Sequence, residues 1–154
     1  MNNAVLEAAE GSVFPVKSDV HSPDVMSSHI KQLARFFGAD LTGIARLPKG
    51  SEYPFGIVCV VRAEYDPRQA RGIGGQAALQ NGLFLTFNVG AIIREMGFRA
   101  TAKIPTDGDR LAAVCGLGTL DANGRLVTRH FGAKVYVADV VYTDLPLAPD
   151  GAAS

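Results

Sequence analysis

The sequence has 154 residues, 47% of them hydrophobic and 19% charged, enough for one ordinary globular domain with its own core and too little for two. Fifteen basic residues balance fifteen acidic ones with no run of either sign, which excludes an electrostatic footprint for nucleic acid or another polyanion. The longest apolar runs, Gly56 to Val61 and Lys134 to Tyr142, fall far short of the roughly 20 residues that a membrane span needs, so no membrane insertion is expected.

The N-terminus, MNNAVLEAAEGS, is acidic and lacks a basic start followed by an apolar block, so a cytoplasmic location is expected. Residues 1–21 carry no period and are expected to form a flexible or partner-binding arm, followed by a single domain over 22–148 and a tail over 149–154. Ser22-Pro23-Asp24 is a helix start. Val25, Ile30, Leu33, Phe36 and Phe37 then fall mostly on one face, and Gly38 supplies the stop. Ala39 to Arg46 alternates as a strand should. Gly56 to Val61 is apolar on both faces and therefore central. After a loop around Tyr65-Asp66-Pro67, Gly75 to Met96 is the longest helical stretch, with Leu85, Val89, Ile92, Ile93 and Met96 facing the core. Asn81-Gly82 interrupts it, leaving open one helix or two shorter ones. Phe98 to Ile104 begins another strand, and Asp107 to Cys115 is a short helix with an acidic start, stopped by Gly116. Leu126 to Thr128 and Lys134 to Thr143 complete the strands, separated by a turn at Gly132. Without a βαβ rhythm, this order predicts an α+β fold: a mixed or mostly antiparallel sheet with packed helices.

The stretch Cys115-Gly116-Leu117-Gly118-Thr119-Leu120 is the most informative for chemistry. Two glycines around a leucine after a helix serve either as a helix C-cap and turn, or as bare main chain against which a flat, bulky ligand can lie. A dinucleotide fingerprint fails here, because it needs a strand before its glycines and a longer glycine spacing. Gly72-Ile73-Gly74-Gly75 lacks the Lys-Ser/Thr of a phosphate loop and is expected to be a flexible loop. His21, His29 and His130 make no zinc spacing, so no metal site of side chains is expected. Asp19-Val20-His21 begins like a cobalt-ligating Asp-x-His motif, but Asp24 stands where that motif has glycine. Tyr65, Asp107 and Asp109 lie near element ends, where proton donors and ordinary caps are both found. Arg125, Arg129 and Lys134 are either contacts for an anionic group or solvated charges. Cys59 and Cys115 are the only cysteines, too few for a disulfide framework or for the four thiolates of an iron-sulfur cluster.

Taken in order, Gly116-Leu117-Gly118, Asn123-Gly124-Arg125-Leu126-Val127-Thr128, Phe131-Gly132 and Thr143-Asp144-Leu145-Pro146-Leu147 resemble the corrinoid-binding domain of reductive dehalogenases and epoxyqueuosine reductases. Three earlier segments, IKQLARFFGADLTGIARL, IVCVVRAEYDP and IIREMGFRATA, resemble the same family's opening helix and strand, central strand, and following helix and strand. The resemblance implies a nitroreductase-like fold holding cobalamin, with Gly116, Leu117, Gly118, Thr119, Thr128, His130, Phe131 and Gly132 lining the corrin. In the redox enzymes of that family the Thr-Asp-Leu-Pro-Leu phrase leads into cysteines that hold iron-sulfur clusters, whereas this sequence stops seven residues after Leu147. The expectation is therefore a stand-alone domain that carries, processes or presents cobalamin, with no iron-sulfur cluster and electrons from a separate ferredoxin or reductase. Two alternatives stay open: an accessory subunit of a larger complex or homo-oligomer that kept the fold without the cofactor, and a flavin-binding relative holding FMN. No catalytic residue is carried over from the family; Tyr65 and Asp107 are the candidates.

Overall fold

The computed structural model describes residues 10–63 and 73–151, without the side chains of 73–77. Helix α1 (Pro23–Phe36) begins as its sequence demands: the Ser22 hydroxyl accepts from the Val25 N–H at 3.3 Å, and Pro23 occupies the first turn, where a missing N–H costs nothing. It ends on Gly38 (φ 113°), with the Ala39 N–H returning to the Ala34 carbonyl.

The sheet is built on β2 (Phe55–Arg62). Antiparallel to it run β1 (Leu41–Arg46) on one side, and β6 (Val135–Val137) and β7 (Val141–Thr143) end to end on the other. A short β3 (Ala100–Thr101) adds to the far edge of β7. Among the described residues the ladders are antiparallel, in keeping with the α+β reading. Ile57, Cys59 and Val61 of β2 point to the face covered by α1 and the long helix α2 (Ile73–Glu95). Val58 and Val60 point to the other, covered by α3 (Gly108–Val114) and a small hairpin of β4 (Thr119–Leu120) and β5 (Leu126–Val127).

Three elements differ from the sequence reading. First, α2 starts at Ile73, so most of the expected 72–75 loop is its first turn while Gly72 lies outside the described residues, and of the two readings left open at Asn81-Gly82 the single helix is the one formed. Gly82 is a packing glycine: a Cβ there would sit 2.7 Å from Cε2 of Tyr136 and 3.2 Å from Cβ of Ala138. Second, the strand expected over 98–104 is only the two residues of β3. Third, the strand expected from Lys134 to Thr143 is split. Val137 lies opposite Val60 and Val141 opposite Ile57, so residues 138–140 face only residues 58–59 across the ladder. One extra residue is a bulge, and it reverses which side chains point where. Tyr136 and Ala138 pack toward α2, whereas Val140 and Tyr142 pack toward α3.

Both chain ends within the described residues are tied down. The Phe14 and Ser18 amides donate to the carbonyls of Arg94 and Met96, each at 2.8 Å, and Gly97 leaves room for the Val16 carbonyl, which a Cβ would meet at 2.4 Å. At the other end, Asp150 acts as a partner for the free edge of β1. Its amide donates to the Ile44 carbonyl at 2.8 Å, its Oδ2 accepts the Ile44 N–H at 2.9 Å, and Lys31 Nζ donates to its carboxylate at 2.8 Å.

Gly82→Val is expected to lower stability by about 1–3 kcal/mol through overpacking against Tyr136, read as a lower urea midpoint with an unchanged slope. The Tyr136 phenol is pushed up from 10 to about 12, chiefly by burial and secondarily by the charge on Asp139. Because the folded value is the higher one, Tyr136 contributes its full stability below pH 10 and loses it as pH climbs from 10 to 12. Urea midpoints of Tyr136→Phe should therefore decline less over that window than those of the unsubstituted chain.

Candidate functional site on the α3 face

The α3 face of the sheet carries both the expected cofactor residues and a cleft. Helix α3 is short and pinned at each end. Asp107 is its N-cap and accepts the Arg110 N–H at 3.2 Å, and Asp109 Oδ2 accepts the Leu126 N–H at 2.7 Å, fastening the hairpin to the helix. Both candidate acids thus have structural partners; Tyr65 lies outside the described residues. At the other end, Gly116 (φ 83°) and Leu117 return their amides to Ala113 and Ala112, each at 3.0 Å, which closes the last turn.

The two glycines of Gly116-Leu117-Gly118 do different work. A Cβ on Gly116 would meet nothing within 4 Å, so its surroundings are open. Gly118 is not among the positive-φ glycines, and a Cβ there would lie 2.4 Å from the Val127 carbonyl oxygen and 3.0 Å from Leu126 Cδ1. Its missing side chain lets β4 lie against β5. Leu117 packs inward beside Gly43 of β1, which leaves 3.4 Å between its own ideal Cβ position and Leu117 Cγ. Thr128 is buried and its hydroxyl is spent locally, donating to the Gly132 carbonyl at 3.1 Å and accepting the Phe131 N–H at 3.0 Å. Phe131 packs on the α3-side core, with the Arg62 guanidinium 6.0 Å from its ring centre. Of the eight expected cofactor residues, Gly116, Thr119 and His130 are exposed, and Gly132 (φ 58°) has open space where a Cβ would stand. Arg125, Arg129 and Lys134 are also exposed.

The cleft lies along one side of α3, from Asp107 to Val114, and uses none of those eight residues. About 630 Å³ in volume, it is bounded by the β1–β2 connection, the segment leading into α3, and Tyr142. Leu47, Ile104, Leu111 and Val114 give it apolar walls, while Tyr53, Tyr142, Arg46 and Arg110 add rings and cations. Tyr142 is buried, which raises its phenol pKa, and its hydroxyl hydrogen-bonds Thr106. The Tyr53 ring stands 6.2 Å from that of Tyr142 and carries the Arg99 guanidinium 4.4 Å from its centre; Arg99 in turn pairs with Glu52 at 2.9 Å. Sequence reading missed this cleft because its residues come from three separated segments with no spacing in common. Only Asp107 had been singled out. Among the described residues no group of three or more His, Cys, Asp or Glu side chains could hold a metal ion. No helix among them is long and apolar enough to cross a membrane.

The exit phrase Thr143 to Leu147 is an ordered part of this architecture. Thr143 is fully buried, donates to the Arg99 carbonyl at 2.7 Å and accepts the Leu145 N–H at 3.0 Å, while Asp144 Oδ1 accepts the Arg99 N–H at 2.9 Å. Leu145 and Leu147 insert into the core on the α1 and α2 side.

This arrangement superposes on a solved reductive dehalogenase. The catabolic enzyme NpRdhA, determined in complex with 3-bromo-4-hydroxybenzoic acid, matches with a TM-score of 0.81 at 21% identity over 99% of this chain. The fold is that of a reductive dehalogenase segment. A second reductive dehalogenase structure, described as suggesting a mechanism for B12-dependent dehalogenation, matches with a TM-score of 0.79 at 23% identity, again over 99% of this chain. In both cases the chain spans 24% of the matching protein's length. Epoxyqueuosine reductase from Bacillus subtilis, solved with its catalytic loop swung out of the active site, matches more distantly, with a TM-score of 0.55 at 13% identity over 84% of this chain and 48% of its own. Neither a protein-family model nor a curated protein matches the sequence.

Gly118→Ala is expected to cost more stability than Gly116→Ala. The first drives a Cβ into a backbone carbonyl, whereas the second loses only the about 1–2 kcal/mol of a left-handed residue, and denaturant titration of the two variants measures the difference. Burial raises both Cys59 and Cys115 to about 12, with Asp150 adding to the shift at Cys115 and the Thr42 hydroxyl, 3.8 Å from the Cys59 sulfur, opposing it at Cys59. Neither thiol should react with a disulfide reagent at pH 8 in the folded chain, and both should react after denaturation.

Proposed function

We propose that this chain is a corrinoid-associated domain of nitroreductase-like type that carries or presents cobalamin, with electrons supplied by a separate protein. The observation that carries this reading is the superposition of nearly the whole chain on reductive dehalogenases, one of them described in terms of B12-dependent dehalogenation. The phrases between Gly116 and Leu147 that resemble that family lie in buried or hydrogen-bonded positions of the same fold, which adds support.

The residues fit a corrinoid in one respect and fail in another. Leu117, Gly118, Thr128 and Phe131 are spent on the protein's own packing, so the turn at 116–118 does not form a close-fitting cradle. Gly116, Thr119, His130 and Gly132 remain accessible as an open face. On this reading the domain's contribution is a surface, with main-chain groups and one imidazole available to a macrocycle or its amide arms.

The packing of Gly118 and Thr128 favours a second reading, in which the chain is an accessory domain that kept the fold and holds no cofactor. One titration separates the two. If the first reading is right, hydroxocobalamin added to the purified chain shifts in its visible spectrum and co-elutes with the protein, and His130→Ala weakens that binding while Arg125→Ala leaves it unchanged. Free cobalamin with no shift and no co-elution leaves the accessory reading, and a yellow protein with flavin absorbance overturns both.

A further inference from the structure

Residues 11–19 lie on the protein without entering it: every one of them is exposed. What holds the segment is a short set of contacts to the end of α2 and to the β3 region. The Phe14 and Ser18 amides donate to the carbonyls of Arg94 and Met96, and the Val16 carbonyl rests where Gly97 has no side chain. Lys17 adds a cation 5.4 Å from the centre of the Phe98 ring. At its start, Glu10 Oε2 accepts the Ala102 N–H at 2.9 Å, one residue beyond β3. A segment that buries no apolar side chain has little to set against the conformational freedom it gives up, so it belongs to the low-stability end of a fold.

Arg94 lies against this segment, with Gly11 passing over it: the ideal Cβ position of Gly11 is 4.0 Å from Nε. The Arg94 side chain is only 5% accessible. Its Nη1 donates to the Ala100 carbonyl at 2.9 Å, and Gly90 makes room for it, since a Cβ there would stand 3.1 Å from Nη1. Nε has no hydrogen-bond partner among the described residues. The carboxylate that pairs with this guanidinium, at 3.8 Å, is Glu10. A buried cation that loses its counter-charge is strongly unfavourable unless water reaches it. We propose that residues 10–18 form a detachable strap, latched by the Glu10–Arg94 ion pair, that opens while the sheet and helices stay folded. Closed, the strap gives Arg94 its carboxylate. Open, it lets water solvate the guanidinium and frees the Ala102 N–H and the carbonyls of Arg94 and Met96. Neutralising Glu10 leaves the closed form with an unpaired buried charge, and opening is the cheapest relief, because no side chain of residues 11–19 has to be withdrawn from the core.

Hydrogen exchange in low concentrations of urea tests this on the whole chain. Exchange at the Phe14 and Ser18 amides should be insensitive to urea, since opening the strap exposes little surface, whereas exchange at Val58 and Val60 of β2 should accelerate with it. Glu10→Gln keeps an acceptor for the Ala102 N–H but removes the charge. It should speed exchange at Phe14 and Ser18 by at least about tenfold while Val58 and Val60 stay protected. Strap amides that share the urea dependence of Val58 and Val60 would show that the segment leaves only with global unfolding, which overturns the proposal. Unchanged exchange at Phe14 and Ser18 in Glu10→Gln would show that the ion pair is no latch and overturn it equally.

Discussion

Everything in this fold is referred to one strand that water cannot reach. β2 is buried over both faces from Phe55 to Val61, so each of its amides and carbonyls needs a protein partner, and the neighbouring strands are obligatory for that reason. β1 takes one edge, and β6 and β7 share the other. The amphipathic helix α1, the long apolar α2 and the short α3 then close the two faces. The outer edge of β1 would repeat the problem. Asp150 resolves it at Ile44 by pairing backbone to backbone and carboxylate to amide, which makes the last described residues part of the sheet's closure.

The functional surface follows from where this regularity is broken. Without the extra residue at 138–140, the ordinary alternation of a strand would send Tyr142 to the same side as Tyr136, under α2. The bulge turns it to the other side, where it meets Tyr53 and Thr106 and becomes a wall of the cleft. The close approach of β4 to β5 at Gly118 likewise belongs to internal construction, and it changes how the Gly-Leu-Gly phrase is understood. Gly116 ends a helix, Leu117 fills the core and Gly118 admits a neighbouring strand. Resemblance in such a phrase reports a shared fold first, and ligand contact only where a residue remains open.

The sheet separates two packed faces. Whatever the α3 side receives, through the cleft or the open surface around His130, is separated by the sheet from α2. Reductive dehalogenases place this same architecture within a chain about four times as long, where it occupies 24% of the length.

Much of the framework was legible in the amino-acid order because its causes are local. Ser22 and Gly38 bracket α1, Asp107 and Gly116 bracket α3, and the unbroken apolarity of residues 56–61 marks a strand buried on both faces, each signal acting within a few residues of itself. The family phrases were legible too, as a fold. What the order of residues could not show depends on pairs far apart in the chain: Gly82 looks like a helix breaker until Tyr136 is set against it, and Gly118 looks like a ligand seat until Val127 closes on it. Nor could it show the cleft, where Arg46, Tyr53, Arg110 and Tyr142 meet only after the ladder shifts by one residue. Caps and periodicity are properties of neighbours along the backbone, whereas register, close approach and concavity exist only once distant segments have packed.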